Sequence, residues 1–424
     1  MRMALSEVLN QLRLAEAEEV LAPYWDESEA SLPDAPDFLQ AEAVRFNREF
    51  VGLGPEADAL LEEVAARIRA TPALLHLAWH CHRLLYFSPE YPGPNIPRWP
   101  SLEHALGDEW GAFYLLVNLS MVPLTLAAQQ ARGIPEEVTR DTCGKIAEIV
   151  AYYRRGHGGH LGADLRILYW TRLYASGDLC TLGRMEYMIR PFGGRLRAYR
   201  SRETGAVLAL SEDGMRFAED GFMCFEGAAG EGWTSRLVSD DDSVTGTPIH
   251  PAGYGLRTEV TLRLREWQQV LAPGDMMLDT HIPGGGGMTP EKCRDTMERA
   301  LDFFPRYFPE RPFVGFACMS WILNPELEFI LPESPNMALW QRELYLFPIP
   351  TGRTIGLFFL FGTDELDFGK LPRDTTMRRR VLEHLEGGGR LIAGGEFFLK
   401  DDFGQYGTQV YRSHWPPEGV EGLK

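Results

Sequence analysis

The apolar positions along this chain change period once. Up to about Asp178 they recur every three or four residues, the spacing that puts them on one face of a helix. Leu5, Val8, Leu12, Ala15 and Val20 form such a stripe, with glutamates between them. A Pro/Asp/Ser-rich linker from Ser28 to Asp37 follows, and then a second stripe of Leu60, Leu61, Val64 and Ile68 that stops at Thr71-Pro72. Ala73 to Phe87 reads as a third helix, ahead of a loop carrying Pro89, Pro92, Pro94, Pro97 and Pro100. Glu103 to Ala131 is a long apolar helix expected to bend at Pro123, because proline cannot donate the backbone bond that a straight helix needs. Pro135 opens another, with Ile146, Ile149, Val150 and Tyr153 facing inward and Arg154-Arg155-Gly156 as its basic end. Leu165 to Tyr174 closes the helical series.

From Leu182 onward short alternating runs take over, as strands require. LGRMEYMI comes first, then RLRAYRS and AVLAL around the turn Glu203-Thr204-Gly205. Weaker pieces follow at Phe222 to Phe225, Thr234 to Val238 and Ser243 to Ile249, with a loop over Gly227 to Gly232. Glu259 to Leu264 alternates clearly. Beyond the central stretch described next come an apolar strand at Pro312 to Ser320 and a short helix at Asn324 to Leu331. Leu339 to Phe347 and Thr354 to Phe361 then read as a closing hairpin across the turn PIPTGR. A helix at Thr375 to Leu385 and a frayed, glycine-broken tail end the pattern. The division predicts an all-helical domain over residues 1–178 and an α+β domain over 179–424.

The second domain is organised around Met276 to Phe304. Met276 to Ile282 suits a short strand with Asp279 and His281 on one of its faces. Gly284, Gly285, Gly286 and Gly287 then reach backbone angles closed to other residues and expose their amides. Thr289 is placed as an N-cap with Pro290 at the first helical position. Cys293, Met297, Ala300, Leu301 and Phe304 repeat at helical spacing behind it. A helix N-terminus aimed past a glycine turn is a natural anion site. It is not a P-loop, since no Lys-Ser/Thr pair follows, and Thr289 stands where the third glycine of G-x-G-x-x-G would fall.

Composition narrows the classes. The 424 residues carry a formal net charge of -18, which argues against nucleic acid and against anionic membrane surfaces. The run Phe113 to Ala128 is short and interrupted for a membrane span, and reads as a buried helix. Cysteines 81, 143, 180, 224, 293 and 318 form no CxxC, so neither a zinc knuckle nor a disulfide framework is expected. No apolar leader is seen, and the chain is expected to be cytoplasmic. His76 and His80 have a chelating spacing but lack the glutamate of HExxH; His157 and His160 lie in the glycine-rich RRGHGGHLG. Both groups are read mainly as structural or solvated, a metal-dependent hydrolase being the weaker alternative. No G-x-S-x-G supports a serine hydrolase.

Two long segments, LDTHIPGGGGMTPEKCRDTMERALDFFPRYFP and FACMSWILNPELEFILPESPN, resemble bacterial two-domain proteins with a helical N-acyltransferase N-terminal domain and a GNAT-like C-terminal domain. LGRMEYMIRPF is similar to that family's opening strand. The resemblance implies the GNAT fold and transfer of an acyl group from acyl-CoA or acetyl-CoA to a small-molecule amine acceptor, with no metal. The general GNAT signature Arg/Gln-x-x-Gly-x-Gly/Ala is replaced here by PGGGG. The alternative is a GNAT-shaped binding or regulatory protein without the chemistry. Acyl transfer needs a base for the amine and a proton for the leaving thiolate. His281 and Asp279 are separate candidates for the base. Two residues apart on a strand face, they are expected about 7 Å apart, too far for a direct pair in most rotamers. Cys318 and Ser320 share a face of the next strand and are candidates to donate to the sulfur or bind the pantetheine arm. Cys318 is otherwise a packing residue or a covalent acyl carrier. The cofactor would lie along Ile282, Gly284, Gly285, Gly286, Gly287, Met288 and Thr289.

Overall fold

The computed structural model describes residues 2–223, 232–331, 335–352, 354–363 and 366–423. The chain divides into two compact units, Met1–Leu182 and Gly183–Lys424. The division falls a few residues past Asp178. Leu182 ends the short strand Cys180–Leu182, which is tied to the helices where the Thr181 N–H donates to Thr142 Oγ1 at 2.9 Å.

The first unit is helical, with the apolar run at its centre. That run is broken into α1 (Trp110–Leu119) and α2 (Met121–Ala131). Every residue of α1 from Gly111 to Leu119 is buried, as expected of a helix that is apolar all round. The break comes at Ser120, ahead of the bend expected at Pro123. Proline at the third position of α2 has no N–H to offer Leu119, so the upstream turn lacks its bond. The helix expected after Pro135 is likewise two, Glu136–Cys143 and Lys145–Gly156, parted at Gly144. A helix at Ala41–Phe50 also lies here, between the expected stripes.

The second unit is built on a mixed sheet. Its strands are β1 (Met185–Pro191), β2 (Met276–His281), β3 (Gly315–Ser320), β4 (Tyr345–Pro348) and β5 (Gly394–Leu399). They lie in the order β1-β2-β3-β5-β4. Helix α3 (Pro290–Tyr307) makes the crossover between β2 and β3, the one parallel pair in this series. A second sheet, ordered Tyr254–Gly255, Pro248–His250, Val207–Ser211, Leu196–Ser201 and Trp267–Leu271, packs within the same unit. The two meet where Tyr345 of β4 donates to the Ile249 carbonyl at 2.6 Å.

The C-terminal third departs from the expected pattern. Leu339 to Phe347 is the end of helix α4 (Pro335–Glu343) followed by β4, and Leu357–Phe361 is a short helix, α5, so the closing hairpin does not form. The run LFFLF is uniformly apolar and carries no period that separates strand from helix. Gly356 and Gly362, at φ of 98° and 77°, frame it as one turn of helix. The glycine-broken tail instead supplies β5, buried along its whole length. Gly394 and Gly395 are there for close approach: a side chain would strike the Leu323 carbonyl at the first and the Phe347 ring at the second. Of the weaker strand pieces, residues 224–231 and the Arg353 of the PIPTGR turn lie outside the described residues. Trp267–Leu271 is a strand that was not expected.

Candidate active site

The parallel pair β2/β3 opens into a wedge. Only Leu278–Phe316 and Asp279–Ala317 are in register, although the strands run on to His281 and Ser320. Each strand stays paired on its outer side through that tip. Thr280 and His281 are opposite Tyr187 and Glu186 of β1, and Met319 and Ser320 opposite Gly395 and Gly394 of β5. The outer ladders hold the two strands while their inner edges part.

The glycine turn sits beside that opening. Gly285, Gly286 and Gly287 have φ of 74°, 71° and 69°, three successive left-handed residues that only glycine adopts without strain. All four glycines are exposed, whereas Met288 is buried. Thr289 caps α3, its side chain accepting from the Lys292 N–H at 3.4 Å, with Pro290 at the first position as expected. Two cations that sequence reasoning missed rest on the turn. Arg184 Nε donates to the Gly287 carbonyl at 2.7 Å, and Lys292 Nζ to the Gly286 carbonyl at 2.7 Å. Their fold position was the missing signal: Arg184 precedes β1, which is next to β2 only through the sheet. The Gly287 N–H donates to the Gly285 carbonyl at 2.9 Å, so the amides of Gly285 and Gly286, the positive end of an 18-residue helix and two cations converge on one surface, the make-up of a phosphate site.

The four residues considered for chemistry divide between the two faces of the sheet. Asp279 and His281 lie on one face and are half-buried. His281 Nε2 is 3.2 Å from Asp279 Oδ2, so the two do form a direct pair. The spacing of about 7 Å holds for their Cα atoms on a pleated strand, and the ring is long enough to fold back along the face. Register places the buried Glu186 of β1 opposite His281 on this same face.

Cys318 and Ser320 belong to the opposite face, with Thr280 and Phe316. Cys318 is buried, and burial, with Glu396 and Asp279 nearby, holds its thiol well above the ordinary range. The thiol is therefore a packing group rather than a ready nucleophile. Ser320 is occupied as the cap of the turn Trp321–Leu323, accepting from the Ile322 N–H. Directly across from Cys318 on β5 is Glu396, 1% exposed, which no motif had marked. Burial and the Asp279 carboxylate push its carboxyl up to about 8. Glu396 lines a cavity of about 10 Å³ with Met185, Thr280, Met297, Phe316, Trp340 and Leu344.

The N-terminal histidines do not converge. His76 Nδ1 meets Glu29 Oε2 at 2.6 Å, while His80 bonds Ser28 and the Leu21 carbonyl and is lowered to about 4 by burial. His157 stacks on Tyr153, and His160 meets Glu109 at 3.0 Å. Among the described residues no three His, Cys, Asp or Glu are grouped to hold a metal.

Residues 179–398 match the family model described as GNAT-like C-terminal domain, and residues 41–173 match that of the N-acyltransferase N-terminal domain. No curated protein matches the sequence. Among solved structures, a mutant acyltransferase in complex with octanoyl-CoA is similar at a TM-score of 0.63 and 21% identity, over 94% of this chain and 99% of that one. An acyltransferase in complex with decanoyl-CoA and teicoplanin is similar at 0.61 and 21%, over the same shares. A third, in complex with CoA and 10C-teicoplanin, is similar at 0.62 and 22%, again over 94% and 99%. At these identities the likeness establishes the fold.

Proposed function

The chain belongs to the family of the GNAT-like C-terminal domain, and from that premise we propose that it transfers an acyl group from acyl-CoA to an amine acceptor. The observation that carries this reading is the wedge between β2 and β3 with the cationic glycine turn beside it. A pantetheine arm laid into the wedge satisfies the inner edges of two strands as an added strand does. Its pyrophosphate then reaches the amides of Gly285 and Gly286 and the charges of Arg184 and Lys292. The thioester comes to the strand tips, where His281, paired with Asp279, accepts the amine proton as nitrogen attacks the carbonyl.

Similar structures hold octanoyl or decanoyl donors and, in two cases, teicoplanin or its 10C form. Medium-chain acyl-CoA and a glycopeptide are accordingly the first donor and acceptor to test. We assign the protein to the cytoplasm, a reading supported by the buried cysteines at 81, 143, 180, 293 and 318, which form no disulfide among the described residues. The test is a transfer assay by mass spectrometry, alongside calorimetry with octanoyl-CoA and acetyl-CoA. Acylated product with release of free CoA is expected. Tight binding without turnover in any amine panel identifies a ligand-binding protein instead, and no binding at all rejects the reading.

A further inference from the structure

Three buried features meet on the helix side of the wedge. The first is the cavity of about 10 Å³, large enough for one water molecule. The second is a pair of polar atoms on its lining residues. Glu396 Oε2 and Trp340 Nε1 are both buried with no hydrogen-bond partner, each in a side chain 1% exposed. The third is connection: Thr280, the first residue of β2 past the last registered pair, lines the same cavity. Glu396 lies directly across β3/β5 from Cys318, the first residue of β3 beyond that pair. The cavity therefore links the parting strands to a buried carboxyl.

We propose that Glu396 supplies, through a water in this cavity, the proton taken up by the departing CoA thiolate. The inference rests on the acyltransferase reading and adds a group to it. As the amine nitrogen bonds to the acyl carbon, its proton passes to His281. The carbon–sulfur bond then breaks with both electrons going to sulfur. The thiolate takes a proton from the cavity water, which takes one from Glu396. Glu396 is reprotonated from solvent and His281 releases its proton there, so a neutral amine and a thioester give an amide and a thiol with no net proton. Between turnovers Glu396 holds its proton near neutral pH, since burial and Asp279 both oppose its ionisation. A carboxyl near 8 is matched to an alkyl thiol of about 8.5, as efficient proton transfer requires. The other groups that face it do not compete: Cys318 of β3 and Tyr187 of β1 are held neutral by burial, and Trp340 of α4 does not titrate.

The test uses leaving groups. Parent and Glu396→Gln are compared on octanoyl-CoA and on S-(4-nitrophenyl) thiooctanoate, whose thiolate departs without a proton. kcat/KM on octanoyl-CoA is expected to fall about tenfold or more in the variant, with a change below about twofold on the aryl thioester. Taking both rates in one sample cancels any loss of folded protein. Equal losses on both donors, or none on either, overturn the proposal while leaving acyl transfer intact. A parent that does not transfer from octanoyl-CoA overturns the underlying reading as well. If the variant does not fold, the parent decides: its ratio of CoA to aryl rates must fall as pH rises through about 8, and a flat ratio overturns the proposal.

Discussion

A carboxylate and an imidazole two positions apart on a strand ordinarily point the same way without touching. His281 and Asp279 touch because both are only half-covered and the ring has room to lie back along the sheet. The two lie within ion-pair distance at the strand tip. His281→Gln keeps the size and a hydrogen bond but removes the base, so turnover of acyl-CoA at fixed pH is expected to drop about 100-fold. Affinity for the donor, measured by calorimetry, should hardly move. A lower melting temperature with near-normal turnover per folded molecule would identify His281 as structural and rule out this role. Glu396 makes a separate prediction about stability. Folded, it holds its proton up to about 8; unfolded, it loses it near 4.3. Between those values the unfolded chain binds fewer protons than the folded one, so this group lowers stability as pH rises. Relative to the parent, Glu396→Gln should therefore gain stability from about pH 4.3 to about 8 and no further above it. Denaturant titrations at pH 5 and pH 8 check this; an unchanged difference between the two proteins contradicts it.

At the scale of elements, the turn and its helix were legible and the wedge was not. Thr289 and Pro290 announce the start of α3 by local chemistry, and four successive glycines announce a turn that other residues cannot make. Arg184, Glu186 and Glu396 carry no such local mark. They enter the site through contacts made across roughly 80 to 100 residues of chain, which period and propensity do not encode. The hairpin expected at Leu339 to Phe361 failed for a related reason. Uniform apolar runs state that they are buried, not in which conformation. The turn itself can be tested with two glycines that differ in backbone angle. Gly286 has φ of 71°, and an added side chain meets Arg184 at 3.2 Å; Gly284 has an ordinary angle and open space. Gly286→Val is expected to weaken acyl-CoA binding at least about tenfold, or about 1.4 kcal/mol, and Gly284→Ala to leave it nearly unchanged. Equal effects from the two, read by calorimetry, would remove the turn from the binding site.

For the molecule as a whole, the change of period near residue 178 foretold a helical unit before a sheet unit, because each obeys its own repeat over many residues. Residues assigned here to the donor all lie in the second unit, which yields a map that hydrogen exchange can draw across the full chain. Octanoyl-CoA is expected to slow exchange most at residues 282–289 and 318–321. Protection confined to residues 1–182 would place the donor elsewhere. The net charge of -18 does not oppose a polyphosphate ligand at this site, since Arg184 and Lys292 act at contact distance while distant carboxylates are screened within about 8 Å at physiological salt.

The position of β5 has a consequence for how the protein is made. Residues 394–399 lie between β3 and β4, whose sequences emerge from the ribosome first. Until the chain has grown past Leu399, β3 has an unpaired edge and β4 has no neighbour in the sheet. At about 5–20 residues per second, the nearly 80 residues between Ser320 and Leu399 keep that edge open for several seconds of translation. An apolar strand waiting with free backbone groups invites pairing with another chain. Synthesis of this protein thus contains an interval in which chaperone cover matters most, and shortening β5 should show first as insoluble nascent chains rather than as a slower reaction.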